Sequence, residues 1–194
     1  MNNPFEYEVV QDIVRTAAAR VLGCPADSLS PATALVRDLG ADSLDLVELR
    51  CELEDRLLVV MPNQSVLDHL VELTGTSDAV YGPDGGVTAL AARVLRDSAF
   101  RYDEEQARAG TPPYEIARST TVANWAHFVS TLFDHLPGSC PECAGTKAAV
   151  SPAQRAECAD CGTALTPQAG DTVLAATVRT AAGSETAWAE ATCV

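Results

Sequence analysis

The chain has 194 residues, 47% hydrophobic and 21% charged, the values of one or two ordinary folded domains and not of a collagen, a coiled-coil rod or a disordered tail. Its 27 acidic against 13 basic side chains give a net charge of −14, which repels phosphate backbones, argues against nucleic acid and suits basic protein partners. No run of about 18 apolar residues occurs, and Met1 to Glu6 hold neither a basic nor an apolar leader stretch, so a cytoplasmic protein with no membrane span is expected.

Val9, Val10, Ile13, Val14, Ala17, Ala18, Val21 and Leu22 recur at a helical period, which predicts a first helix stopped by Gly23 and Pro25. The connection over 23–42 carries Leu29, Leu35, Val36 and Leu39 and should pack on the core. A second helix runs from about Ser43 to Leu58. At 100° per residue, Leu46, Leu49, Leu53 and Leu57 form its core stripe within about 80°. Asp45, Glu48, Glu52 and Asp55 form an acidic stripe. Leu44, Val47, Cys51 and Leu58 form a second apolar stripe beyond the acids, which is either extra core or a docking surface. The front of the chain is also its most acidic part: residues 1–74 hold 13 acidic and 5 basic residues, net −8, against −3 for each of 75–137 and 138–194.

Val66, Leu67, Leu70 and Val71 predict a short helix closed by Gly75, and Pro83 to Gly86 a turn. A helix follows from Thr88 to about Phe100, then a polar loop over 103–113. Thr121 is a candidate N-cap for a stronger helix whose apolar face is Val122, Trp125, Phe128, Val129, Leu132, Phe133 and Leu136, broken by Pro137-Gly138. Beyond it, two Cys pairs and short Val/Thr/Ala runs from Thr172 to Thr180 suggest a compact β-rich module.

The most informative stretch is Leu39-Gly40-Ala41-Asp42-Ser43-Leu44-Asp45-Leu46-Val47-Glu48-Leu49. Ser43 falls at a helix N-terminus, where free N–H groups and the macrodipole favour a phosphate ester on its oxygen. The plain alternative is that Ser43 is only an N-cap. The stretch resembles the Asp-Ser-Leu motif of the acyl carrier protein family, in its fatty-acid form more than its peptidyl form. The resemblance implies a 4′-phosphopantetheine attached to Ser43 by a phosphopantetheinyl transferase, with Asp42 beside the cofactor phosphate. It implies that Asp45, Glu48, Glu54 and Asp55 meet basic surfaces of acyl-loading and acyl-processing enzymes, and that Leu44, Val47 and Cys51 touch the same partners; Glu52 joins them from the acidic stripe. Such a chain is a tether with no catalytic residues of its own. Arg50 and Arg56 interrupt the acidic helix and favour a dedicated set of partners.

In the family the last helix follows soon after a Val-x-x-Pro segment, here Val59 to Pro62. Thr121 to Val129 match that helix best, which makes 66–119 an insertion between carrier segments 1–65 and 120–137. The competing alignment takes 65–74 as the last helix.

Cys140-x-x-Cys143 and Cys158-x-x-Cys161, fourteen residues apart, have the spacing of a four-thiolate zinc site, and 138–194 resembles a zinc ribbon. Gly145 and Gly162 stand where each knuckle would require positive φ. Two redox-active pairs are the alternative, but the βαβ context they need is absent. Cys24, Cys51 and Cys193 remain as free thiols, and His69, His127 and His135 are isolated packing or surface residues. The expected fold is therefore mainly α: a carrier-like bundle with a helical insertion, followed by a small β-rich zinc ribbon. The expected function is an acyl carrier of a dedicated fatty-acid or polyketide-type pathway. The alternatives are an aminoacyl or peptidyl carrier of secondary metabolism, or a zinc-ribbon interaction or nucleic-acid adaptor.

Overall fold

A computed structural model describes residues 1–183; Cys193 and the rest of the final stretch lie outside the described residues. The helices are α1 (Tyr7–Val21), α2 (Leu35–Leu39), α3 (Ser43–Leu57), α4 (Val66–Thr74), α5 (Ala89–Asp97), α6 (Pro113–Ser119), α7 (Val122–Phe133) and α8 (Gly170–Ala182). Two short antiparallel strands, β1 (Ala148–Val150) and β2 (Ala156–Cys158), pair Ala149 with Glu157. No described helix is long and apolar enough to cross a membrane.

The chain is mainly helical, as its periodicity indicates. In α1, Val10, Ile13, Val14, Ala17 and Ala18 are buried. In α3, Leu49, Leu53 and Leu57 are buried while Leu46 is half-buried. Gly40 and Gly75 close α2 and α4 in the left-handed region, where other residues are strained. In the 23–42 connection Leu29 and Leu35 are buried, but Leu39 is 39% exposed and does not anchor it.

Helix α7 lies against α1, with Tyr7 stacked on His127 and Phe5 against Phe133 at 4.5 Å between ring centroids. Its first turn is tied to the loop before α2. Thr33 O accepts from the Val122 amide at 3.0 Å and Pro31 O from the Ala123 amide at 2.9 Å. These bonds satisfy donors that a helix start leaves open. Residues 75–119 leave α4 and return to α7, and Phe100 stacks on Phe128 at 4.7 Å. There, Gln106 Nε2 donates to Asn124 Oδ1 at 2.9 Å between two buried side chains.

One expectation is corrected. Residues 172–180 are not strands but the middle of α8. Val173, Leu174, Val178 and Ala182 are buried on one face, and α8 packs on α4 and α5. Burial of that face overrides the β preference of its Val and Thr residues. Helix α6 falls within 66–119, the segment expected to be helical, and Pro113 at its first turn is a helix-start residue.

The cysteine segment runs between α7 and α8, and its Ala156 and Leu165 join the same buried cluster as the helices. Its β-turn rests on the C-terminal end of α3. Arg155 donates through Nη2 to Asp55 O at 3.1 Å and through Nε to Arg56 O at 3.3 Å. Arg56 in turn donates to Gln154. A guanidinium at the last carbonyls meets both their open acceptors and the negative end of the macrodipole.

Candidate functional site: an exposed serine at a helix start

Ser43 is the first residue of α3, and it is exposed. It is not the cap. Asp42 takes that role, its carboxylate accepting from the Leu44 amide at 2.7 Å and the Asp45 amide at 3.0 Å. The Asp45 carboxylate reaches back to the Asp42 amide at 2.9 Å, closing a capping box. With the orphan amides served by acids on either side, the Ser43 hydroxyl has no side-chain hydrogen bond among the described residues. Gly40, at φ 72°, and the buried Ala41 fix the chain just before it. The site is thus a rigid helix start that presents a free primary hydroxyl.

The surroundings of Ser43 divide the expected docking residues into two kinds. Leu44 is 75% exposed, Val47 52% exposed, and Cys51 exposed, so these three residues of the second apolar stripe face solvent, while Leu58 is half-buried. Glu48 and Asp55 are also exposed. Two other acids have internal work. Glu52 pairs with Arg20 at 2.8 Å, and Glu54 Oε1 accepts from the Met61 amide at 2.8 Å. Arg50 bonds Asn63 on the α4 side of the helix.

The second cluster is the cysteine set. The sulfurs of Cys140, Cys143, Cys158 and Cys161 all lie within 4.8 Å of one another. Cys140 and Cys161 are 3.7 Å apart, and Cys143 and Cys158 3.6 Å. Thiolates around one tetrahedral ion at about 2.3 Å stand about 3.8 Å apart, so the set is shaped to hold a metal. The two knuckles share one hydrogen-bond pattern: Cys140 N to Gly145 O and Ala144 N to Cys140 O, then Cys158 N to Thr163 O and Gly162 N to Cys158 O. Positive φ falls on Ala144 (59°) and Gly162 (74°), not on Gly145. A Cβ at Gly145 would meet the Asp160 carboxylate at 2.3 Å, an exposed side chain free to swing aside, and Cys143 Sγ at 3.2 Å.

Thr163 was not singled out by spacing. Its hydroxyl, 3.2 Å from Cys161 Sγ, and its amide draw that thiol down to about 6, with help from Cys143. The Gly145 amide also pulls Cys143 down, but the Cys161 and Cys158 sulfurs outweigh it and push Cys143 up to about 12.

Residues 12–71, which include all of α3 and Ser43, match the family described as phosphopantetheine attachment site. Acyl carrier protein 3 of Ralstonia nicotianae is 33% identical over 91 residues, 46% of this chain and the whole of that protein. The acyl carrier protein of Campylobacter jejuni subsp. doylei is 40% identical over 52 residues, 27% of this chain and 68% of the relative. That of Clostridium acetobutylicum is 40% identical over 58 residues, 30% of this chain and 70% of the relative. No solved structure matches the chain significantly. A capped helix that frees its first serine, an exposed apolar and acidic face behind it, and whole-length similarity to a small carrier place this chain in the acyl carrier protein family.

Proposed function

We propose that Ser43 is the attachment point of 4′-phosphopantetheine and that the chain presents an acyl group to a dedicated set of enzymes in a fatty-acid or polyketide-type pathway. The observation that carries this reading is the capping box. Asp42 and Asp45 take the structural work at the start of α3, so the exposed Ser43 hydroxyl is left for chemistry. When attached, the arm supplies a thiol on which an acyl group is held as a thioester. The protein contributes position: a fixed helix start, high effective concentration, and a surface for brief docking. Leu44, Val47 and Cys51 offer apolar contact, while Glu48 and Asp55 offer charge to basic patches on the transferase and on acyl-processing enzymes. Incubation with a phosphopantetheinyl transferase and coenzyme A, followed by intact mass measurement of wild type and Ser43→Ala, tests the assignment.

The carrier bundle is drawn from 1–65 and 120–137, a reading supported by the packing of α7 on α1 and its bonds to 31–33. The family match ends at residue 71, inside α4, the helix that the competing alignment takes as the carrier's last. The ion held by the four cysteines is zinc. The donor set is all thiolate and closed by four residues, and the sulfur spacing fits that ion. Its role is structural, since no ligand position is left for substrate.

A further inference from the structure

We infer that Arg50 reads the cargo: it receives a carboxylate that the acyl unit carries at the end remote from the thioester, an inference that rests on the reading of Ser43 as the pantetheine site. Arg50 follows Ser43 on α3. Seven steps of about 100° bring it within about 20° of the Ser43 direction, about 10.5 Å further along the helix. Val47 and Glu54 complete that stripe, so a guanidinium stands on the face to which the arm is attached.

The loop after α3 runs back along this stripe towards Ser43. Met61 N donates to Glu54 Oε1 at 2.8 Å, and one turn nearer the helix start Arg50 Nη2 donates to Asn63 Oδ1 at 3.0 Å. Asn63 is itself fixed by Asp171, whose carboxylate accepts from its backbone amide at 3.0 Å and from its Nδ2 at 3.4 Å. The Asn63 side chain therefore turns its oxygen to Arg50 and holds the guanidinium in the cleft between α3 and the loop.

Among the described residues, this bond to a neutral acceptor is the one hydrogen bond that Arg50 makes, and it has no ion pair. Its Nε is the one buried side-chain nitrogen or oxygen there without a hydrogen-bond partner. Arg20 and Arg37, by contrast, each meet a carboxylate at 2.8 Å. Glu54 and Asp171, the acids of this stripe and of its loop, are engaged by backbone amides instead. A buried donor left unpaired is costly, and an arriving acceptor removes that cost. A carboxylate is the matching acceptor, because it takes two N–H groups of one guanidinium at once.

The arm's own anion, its phosphodiester, is fixed on the Ser43 oxygen at the start of α3, and the pantetheine beyond it is uncharged. An anion at Arg50 is therefore supplied by what the thiol carries. The arm has about fourteen bonds of about 1.5 Å each, so its end passes two helical turns with slack to fold back. Arg50 is half-buried, whereas Leu44, Val47 and Glu48 are exposed, so its guanidinium serves the cleft rather than the docking face.

The test loads Ser43 with adipoyl- or hexanoyl-pantetheine from the matching acyl-coenzyme A, using a broad-specificity transferase, with loading read by intact mass. The two units have equal chain length and differ in the terminal carboxylate. The Arg50 Nε–H signal, identified in nitrogen-15 correlation spectra by its loss in Arg50→Lys, is followed in the unacylated, hexanoyl and adipoyl forms. The expected result is a signal that moves only in the adipoyl form, with its exchange against water slowed about fivefold or more. The same signal in the adipoyl and hexanoyl forms would overturn the inference. A signal that moves as soon as the bare arm is attached would also overturn it, because the phosphodiester would then be the anion. Failure of every unit to load, plain coenzyme A included, would strike the Ser43 assignment itself and is read separately by mass.

Discussion

The carboxylate of Asp171, at the start of α8, lies 3.3 Å from the imidazole Nε2 of the buried His69 on α4 and also accepts from the Asn63 and Gln64 amides. Partial burial opposes its ionisation, but the Gln64 and Asn63 amides and His69 outweigh it and hold the carboxyl below its ordinary range. A carboxyl lowered by folding stabilises the native state above its unfolded value, near 3.9, and loses that contribution as pH falls through the lower folded value. Asp171→Asn is therefore expected to flatten the acid limb of stability below about pH 4. Asp171→Ala should cost about 2 kcal/mol at neutral pH by leaving amides unpaired. Urea titrations at several pH values read both, and an unchanged acid limb in Asp171→Asn would contradict the assignment.

Gly170 brings the start of α8 directly against the backbone of the loop after α3. A Cβ there would fall 2.5 Å from Pro62 N and 2.6 Å from Val60 O, both backbone atoms that cannot swing aside. Gly170→Ala should cost about 2–3 kcal/mol, within the range for overpacking a closed contact. The control is Gly75→Ala, at φ 70° with open space around it, where only the backbone strain of about 1 kcal/mol applies. Equal losses in the two variants by urea denaturation would show that α8 is not seated as described.

How much of this was readable in the chain depends on which interactions set each element. The helices α1, α3, α4, α5 and α7 follow from apolar period and caps, because those signals are local. The same holds for the four cysteines, whose spacing is their ligand geometry. Helix α8 has a helical period in Val173, Leu174, Val178 and Ala182, but its Val and Thr content also suits strands, and only packing on α4 and α5 decides between them. Arg155 and Asp171 were not singled out because each acts on backbone groups about 100 residues away. The capping roles of Asp42 and Asp45 were written in the sequence, yet the Asp-Ser-Leu motif drew attention to Ser43 first.

The purified protein is expected to hold one zinc per chain, released by a strong chelator or by Cys158→Ser. Because the cysteine module bonds the end of α3 and leads into α8, metal loss should lower amide protection in both the module and α8, while α1 and α7 keep theirs. Hydrogen exchange with metal analysis checks this. Stoichiometric iron, or full protection in the metal-free protein, would contradict it.

Glu48 and Asp55 are the exposed acids of α3 without an ion pair among the described residues, whereas Glu52 is engaged by Arg20. Glu48→Lys with Asp55→Lys should slow Ser43 modification about tenfold at low salt, through association, with helix content unchanged. The difference should shrink towards about 0.5 M salt, where screening removes the steering. Equal rates at low salt would reduce the acidic stripe to a solvated face.

The most direct measurement is the site and stoichiometry of modification. After incubation with coenzyme A and a phosphopantetheinyl transferase, trypsin cleavage after Arg37 and Arg50 isolates the peptide Asp38–Arg50, which contains Ser43 as its one hydroxyl-bearing residue. The expected result is one 4′-phosphopantetheinyl group per chain, found on that peptide and lost in Ser43→Ala. No mass gain in the folded wild type, or a gain that persists in Ser43→Ala, would contradict the assignment of Ser43 as the point of attachment.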